Sequence, residues 1–134
     1  MGVMQMRQRS QSWLKQAKAD LETARVDMEA KRHYASVFFS QQAVEKSLKA
    51  AYISLKHKNP PRTHDLDRLA EMISKDQDFQ RSVRILEEEE SKTRYPDAAG
   101  GIPADQFTEE DAKRYLSKAS DIVSKVEGWV SDDR

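Results

Sequence analysis

Cysteine is absent from the sequence. That excludes disulfides, thiolate metal ligands and cysteine nucleophiles together, and it fits a reducing compartment. Histidine occurs three times, too thinly scattered to build a histidine metal cage. Four glycines and four prolines are too few for a turn-rich β-sandwich. No apolar run approaches the length of a membrane span. The opening MGVMQMRQRS has no apolar core of the kind a secretory signal needs, and no Ser or Thr at the sixth position of a myristoylation pattern. An excess of one charge is missing too: 23 Lys and Arg balance 23 Asp and Glu. A globally basic nucleic-acid binder is thereby excluded, though a local basic patch is not. The expectation is a soluble, cytoplasmic protein with no metal, no cofactor, no membrane partner and no DNA partner.

What is there is helical pattern. The chain has 134 residues, enough for a single core. With 37% hydrophobic and 34% charged residues, it suits amphipathic helices that each lend one stripe to that core. Trp13, Ala17, Leu21, Ala24 and Met28 recur at spacings of 4, 4, 3 and 4, so a first helix is predicted from about Ser12 to Lys31. Residues 1–9 are expected to form a flexible tail, with the domain itself spanning 10–131.

A second helix is predicted over Tyr34 to Lys56, with Tyr34, Val37, Phe38, Val44, Leu48, Ala51, Tyr52 and Leu55 in period. The short connection implies an antiparallel hairpin. Asn59-Pro60-Pro61 ends it, since proline cannot continue a helix and biases its predecessor to extended backbone.

Thr63 then reads as the N-cap of a short third helix carrying Leu66, Leu69, Ala70 and Ile73, with Asp65 and Asp67 in its first turn. A fourth helix follows over roughly Asp78 to Ser91, with Phe79, Val83 and Leu86 inward and Glu87 to Glu90 facing solvent. The stretch 94–107, with Pro96, Gly100, Gly101 and Pro103, reads as a loop. Thr108 caps a last helix whose stripe is Ala112, Tyr115, Leu116, Ala119, Ile122, Val123, Val126 and Trp129. The fold class is all-α: an antiparallel up-and-down bundle of four main helices plus one short inserted helix.

Charge is segregated along this neutral chain. Lys46, Lys49, Lys56, Lys58 and Arg62 form a run with no acid among them, while Asp65 to Glu90 holds nine acids against four bases. The run fits cations at a helix C-terminus, and it equally fits a site for phosphate or an acidic partner. Gln42, Glu45 and Lys49 share one helical face, as a ligand site or as a network locking the bundle, and Glu45 and Lys49 have the favoured i, i+4 ion-pair orientation. Lys46 projects a third of a turn away.

His64 fits either a proton donor and acceptor or a helix-cap partner. Asp65 either orients His64 or serves the helix dipole. Arg94 and Asp97 flank Tyr95-Pro96, as a phosphate grip or as a loop clamp. Trp13 and Trp129 read as core or dimer anchors.

Four pieces occur together in order: the tryptophan-led Trp13…Ala17…Asp20-Leu21…Ala24, the string Ser40-Gln-Gln-Ala-Val-Glu-Lys-Ser-Leu-Lys-Ala50, then Thr63-His64-Asp65-Leu66, then Arg94-Tyr95-Pro96-Asp97. Over roughly residues 10–130 this combination resembles the HEPN domain family, named for higher eukaryotes and prokaryotes nucleotide-binding. The resemblance implies an antiparallel helical fold and frequent homodimers. It also implies that small prokaryotic members pair with a minimal nucleotidyltransferase in toxin–antitoxin-like modules, and that nucleotide or RNA is a ligand.

Catalytic members are metal-independent ribonucleases bearing Arg, four to six residues, then His. That spacing is absent here: seven residues separate Arg25 from His33, Arg32 adjoins His33, and one residue separates Arg62 from His64. The sequence therefore points to a non-catalytic binding module with candidate ligand residues Gln42, Glu45, Lys46, Lys49, His64, Asp65, Arg94 and Asp97. A ribonuclease toxin with a non-standard centre at His64 and Arg94, and a purely structural homodimer, are the alternatives.

Overall fold

The structure is a computed structural model and describes residues 2–88, 102 and 106–131. Among these residues five helices follow one another: α1 (Val3–Glu29), α2 (His33–Lys56), α3 (Leu66–Ile73), α4 (Gln77–Glu88) and α5 (Glu109–Ser131). Among the described residues there is no strand. None of these helices is long and apolar enough to cross a membrane.

The first helix is longer than its expected start at Ser12. It begins at Val3, so most of the stretch expected as a loose tail, residues 1–9, is helical. The reason is packing. Met6 is buried, and the Ser10 hydroxyl donates to the Ala50 carbonyl at 2.9 Å. Met6 and Ser10 continue the stripe of Trp13 and Ala17 backward at spacings of 4, 3 and 4. The stripe was there to be read, with serine standing at one apolar position.

α1 ends in a left-handed turn. Lys31 has φ 62°, its N–H donates to Met28 O at 3.0 Å, and Arg32 N–H donates to Asp27 O at 2.7 Å. These bonds satisfy the last carbonyls and reverse the chain within a few residues. α2 therefore returns antiparallel along α1. Two serines pin the pair near its ends: Ser10 on Ala50, and Ser36, whose hydroxyl donates to Ala24 O at 2.8 Å. Ala17, Ala24, Ala43, Ala50 and Ala51 are fully buried, which lets the two backbones approach.

α2 is the central element and packs against all four other helices. Val37, Val44 and Leu48 are fully buried on it, and so are Ser36, Ser40 and Ser47. Leu55, expected in its inner stripe, is 48% exposed, because the buried face of the last turn of α2 is formed instead by Ile53 and Ser54. His57, in the left-handed region at φ 56°, stops the helix with its N–H on Ile53 O at 2.9 Å.

α3 and α4 form a short hairpin across one end. Leu66, Leu69, Val83 and Leu86 enter the common core with Ile122 and Val126 of α5. Asp76 caps α4 through Phe79 N and Asp78 N, which hold its carboxyl below the usual carboxylate range. At the start of α5, Asp111 N donates to Thr108 Oγ1 at 3.1 Å, so Thr108 caps the helix as expected, and Thr108 N donates back to Asp111 Oδ2 at 2.9 Å.

Candidate functional site

The polar residues of α2 resolve into two ion-pair clusters, one with α1 and one beside α3. In the first, Lys46 reaches Asp20 of α1. Asp20 is buried and also accepts from Gln16 Nε2 at 3.0 Å. In the second, the buried carboxylate of Glu45 meets two basic side chains. Lys49 Nζ lies 3.5 Å from Oε2 and His64 Nδ1 lies 3.0 Å from Oε1. A carboxylate only accepts, so Nδ1 is the donor and Nε2 is left for another partner. The His64 side chain is 69% exposed, whereas that of Lys49 is 8% exposed. Of the expected site residues, the structure thus unites Glu45, Lys49 and His64 and sends Lys46 elsewhere. Gln42 is half-buried on the same helix and lies outside the ion-pair network. Arg94 and Asp97 lie outside the described residues.

Asp65 does not orient His64. It is the N-cap of α3, and its Oδ1 accepts from Arg68 N at 3.0 Å. Thr63, expected as that cap, instead accepts from Asp65 N at 3.1 Å, one step upstream. The more extensive correction concerns Glu87, expected in solvent. Its carboxyl covers the N-terminus of α3, accepting from Leu66 N at 3.1 Å and Asp67 N at 3.0 Å. Burial, and then the Asp65 side chain hydrogen-bonded beside it, push Glu87 up to about 7. The Arg68 backbone N–H and the bond to Glu87 hold Asp65 below the usual range. Two carboxyls therefore share the N-terminal donors of an eight-residue helix.

The cation run acquires a shape. Arg9 and Trp13 of α1, Lys49 of α2, and Asn59, Pro60, Pro61 and Arg62 of the following turn line a cleft of about 250 Å³. It holds three cations and no carboxylate at its wall. Lys49 Nζ also stands 5.5 Å from the centre of the Trp13 ring, a cation–π contact. Among the described residues neither Arg9 nor Arg62 is ion-paired. Pro60 and Pro61 stiffen the turn that presents Arg62. The sequence pattern hides Arg9, which falls in the expected tail, and favours Trp13 as a core or dimer anchor over a cofactor stack.

A second hollow, about 470 Å³, borders the same tryptophan and is lined by Gln5, Gln8, Arg9, Ser12 and Trp13. A third, about 200 Å³ between α4 and α5, mixes Asp78 and Asp121 with Lys118 and Lys125 and so favours neither sign of ligand. Among the described residues no group of three or more His, Asp or Glu is placed to hold a metal ion.

The sequence model of the HEPN domain matches residues 10–129. "Putative toxin MJ1304" of Methanocaldococcus jannaschii is 26% identical, over 90% of this chain and 87% of that protein. The crystal structure of TT1696 from Thermus thermophilus superposes with a TM-score of 0.81 at 28% identity, covering 90% of this chain and 98% of that one. That of ST0689, described as an archaeal HEPN homologue, gives 0.78 at 29% identity, covering 91% and 98%.

Proposed function

The chain belongs to the HEPN domain family, and from that premise we propose that it is a non-catalytic binding module, the partner of a small nucleotidyltransferase in a toxin–antitoxin-like pair, which holds phosphate groups in the cleft of Arg9, Lys49 and Arg62. The observation that carries the phosphate reading is the composition of that cleft: three cations, two of them without an ionic partner among the described residues, and no carboxylate. Guanidinium groups match phosphate oxygens two at a time, so Arg9 and Arg62 supply the unpaired charge, while the Lys49 ammonium is held at the cleft by Glu45. The same cleft lies beside Glu45 and His64 through Lys49.

One observation supports the non-catalytic reading. The Arg-to-His spacing of the ribonucleases is missing from the sequence. The toxin–antitoxin setting is supported by the relative whose name reads "Putative toxin MJ1304".

The test has three arms. Purified protein incubated with RNA from pH 5 to 8 should leave it intact; cleavage that is lost in His64→Ala would replace this reading with the ribonuclease one. Tripolyphosphate in excess should raise the melting temperature, because a ligand that binds only the folded state stabilises it. Arg62→Ala should remove that shift. Isolation from the native cell should return a small nucleotidyltransferase at near-equal stoichiometry, and its absence would end the partner reading.

A further inference from the structure

The turn that carries Arg62 to the cleft ends at the cap of α3, Asp65. Arg62, His64 and Asp65 are exposed, whereas Leu66 and Leu69 just beyond them are buried in the core. At Asp65 the chain therefore passes from a turn that is free to shift to a helix that is pinned. Two side-chain bonds hold the turn down. His64 Nδ1 meets Glu45, the partner of Lys49 in the cleft wall. Asp65 accepts from Arg68 N at 3.0 Å and is hydrogen-bonded to the Glu87 carboxyl. A carboxylate only accepts, so a bond between two carboxyls requires one proton. Glu87 holds it, since burial and the Asp65 side chain push Glu87 up to about 7, while the Arg68 backbone N–H keeps Asp65 low.

The other charges around this pair are occupied or turned elsewhere. On α3, Asp67 faces Arg84 of α4 at 3.4 Å, and Arg68 is the cation that acts on Asp65. α2 brings the neutral Gln41 to the end of α4, where its Nε2 donates to Leu86 O at 2.8 Å. The charged Glu45 of α2 is engaged by Lys49 and His64. α5 shares the core with α4 through Ile122 and Val126, and its Lys125 pairs with Asp76 at the opposite end of α4 from Glu87.

We propose that the bond between Glu87 and Asp65 is a proton-operated catch on the Arg62 turn: with the shared proton in place the turn is held and Arg62 stands at the cleft, and when the proton leaves, the two carboxylates part and the turn carries Arg62 away. The inference rests on the phosphate reading above and adds its control by pH. Like charges in contact repel, so one carboxylate must yield. Asp65 is the one that yields. Glu87 keeps two backbone donors, Leu66 N at 3.1 Å and Asp67 N at 3.0 Å, on a helix held by buried Leu66. Asp65 is exposed and has the single backbone donor of Arg68. Pro60 and Pro61 stiffen the upstream side of the turn, so a shift at Asp65 reaches Arg62 instead of being absorbed between them. Anion binding is therefore strong on the acid side and weakens as pH rises through about 7.

The experiment follows the full chain from pH 5 to 8 with two readouts. The first needs no ligand: amide exchange by NMR, taken relative to the intrinsic rate at each pH. Exchange at Arg68, whose N–H depends on Asp65, should quicken by roughly tenfold across the range, the scale of one linked proton. Exchange at Leu66 and Asp67, held by Glu87, should change much less. The second readout is the affinity for sulfate, whose charge is constant over this range. It should fall several-fold as pH rises. Glu87→Gln donates to Asp65 at every pH, and Asp65→Asn still caps the helix but carries no charge. Both variants should flatten the Arg68 exchange and the sulfate profile, whereas any other group that titrates near the cleft does so in all three proteins. Profiles in Glu87→Gln and Asp65→Asn that match the unmodified chain would overturn the proposal. So would equal quickening at Leu66, Asp67 and Arg68, which would mean that the whole hairpin loosens. A catch that titrates while sulfate affinity stays constant would overturn the coupling to Arg62 and leave the phosphate reading standing. Sulfate that binds at no pH would overturn the phosphate reading, and the coupling with it.

Discussion

At the scale of single residues, burial decides which charges matter. Glu45 and Lys49 form an ion pair whose side chains are 6% and 8% exposed, and His64 adds a second basic group to the same carboxylate. Lys18 and Glu127 also pair, at 2.6 Å, but with side chains 55% and 39% exposed. Removing one partner of a buried pair strands the other, at a cost of about 3–5 kcal/mol, whereas exposed pairs contribute about 0–1 kcal/mol. Glu45→Ala should therefore lower the unfolding free energy in urea by about 3 kcal/mol, and Lys18→Ala by less than about 1 kcal/mol. Equal effects would mean that Glu45 and Lys49 are solvated as freely as the surface pair. The i, i+4 spacing of Glu45 and Lys49 is visible in sequence. The third member, His64, is not, because only the turn after Pro61 brings it back to α2.

At the scale of elements, the α3–α4 hairpin carries the most to learn. An eight-residue helix has little stability of its own, so its caps and its packing hold it. Asp65→Ala should cost about 1 kcal/mol as the loss of an N-cap, and Thr63→Ala clearly less. The reverse order, measured by denaturant unfolding, would restore Thr63 as the cap.

Glu87 makes the hairpin respond to pH. Its folded value, about 7, is above its ordinary value of 4.5. A raised acid binds its proton more tightly when folded, so its contribution to stability is complete below about 4.5 and is lost as pH rises through about 7. Asp65, lowered, acts oppositely, with its contribution lost only in acid below its ordinary 3.8. The melting temperature should fall between pH 5 and 8, and Glu87→Gln should flatten that fall, since an amide keeps an acceptor for the α3 N–H groups and can donate to Asp65. A pH dependence unchanged in Glu87→Gln would show that the carboxyl is ordinary. Nothing in a run of four glutamates separates Glu87 from its neighbours. Only the docking of α4 on α3 does.

At the scale of the whole molecule, the N-terminal turns belong to the fold and to the proposed ligand site alike. Met6 is buried, Ser10 bonds to Ala50, and Arg9 lines both hollows beside Trp13. Deleting residues 2–9 removes the Met6 burial, worth about 2 kcal/mol, and so should lower the melting temperature by several degrees and abolish the tripolyphosphate shift. A truncated chain as stable as the full one would show that residues 2–9 form a tail after all. The sequence by itself determined the class of fold and the order of the helices, because helical periodicity, paired prolines and caps are local and every residue that produces them is a near neighbour. It determined family membership too, since the strings that carry it are contiguous. Tertiary structure alone decided which charges are neutralised, where Glu87 points, and that Arg9, Trp13, Lys49 and Arg62 meet at one cleft. Those facts depend on residues tens of positions apart, brought together only when α1, α2 and the diproline turn close around a shared core. Local pattern carries no information about that closure.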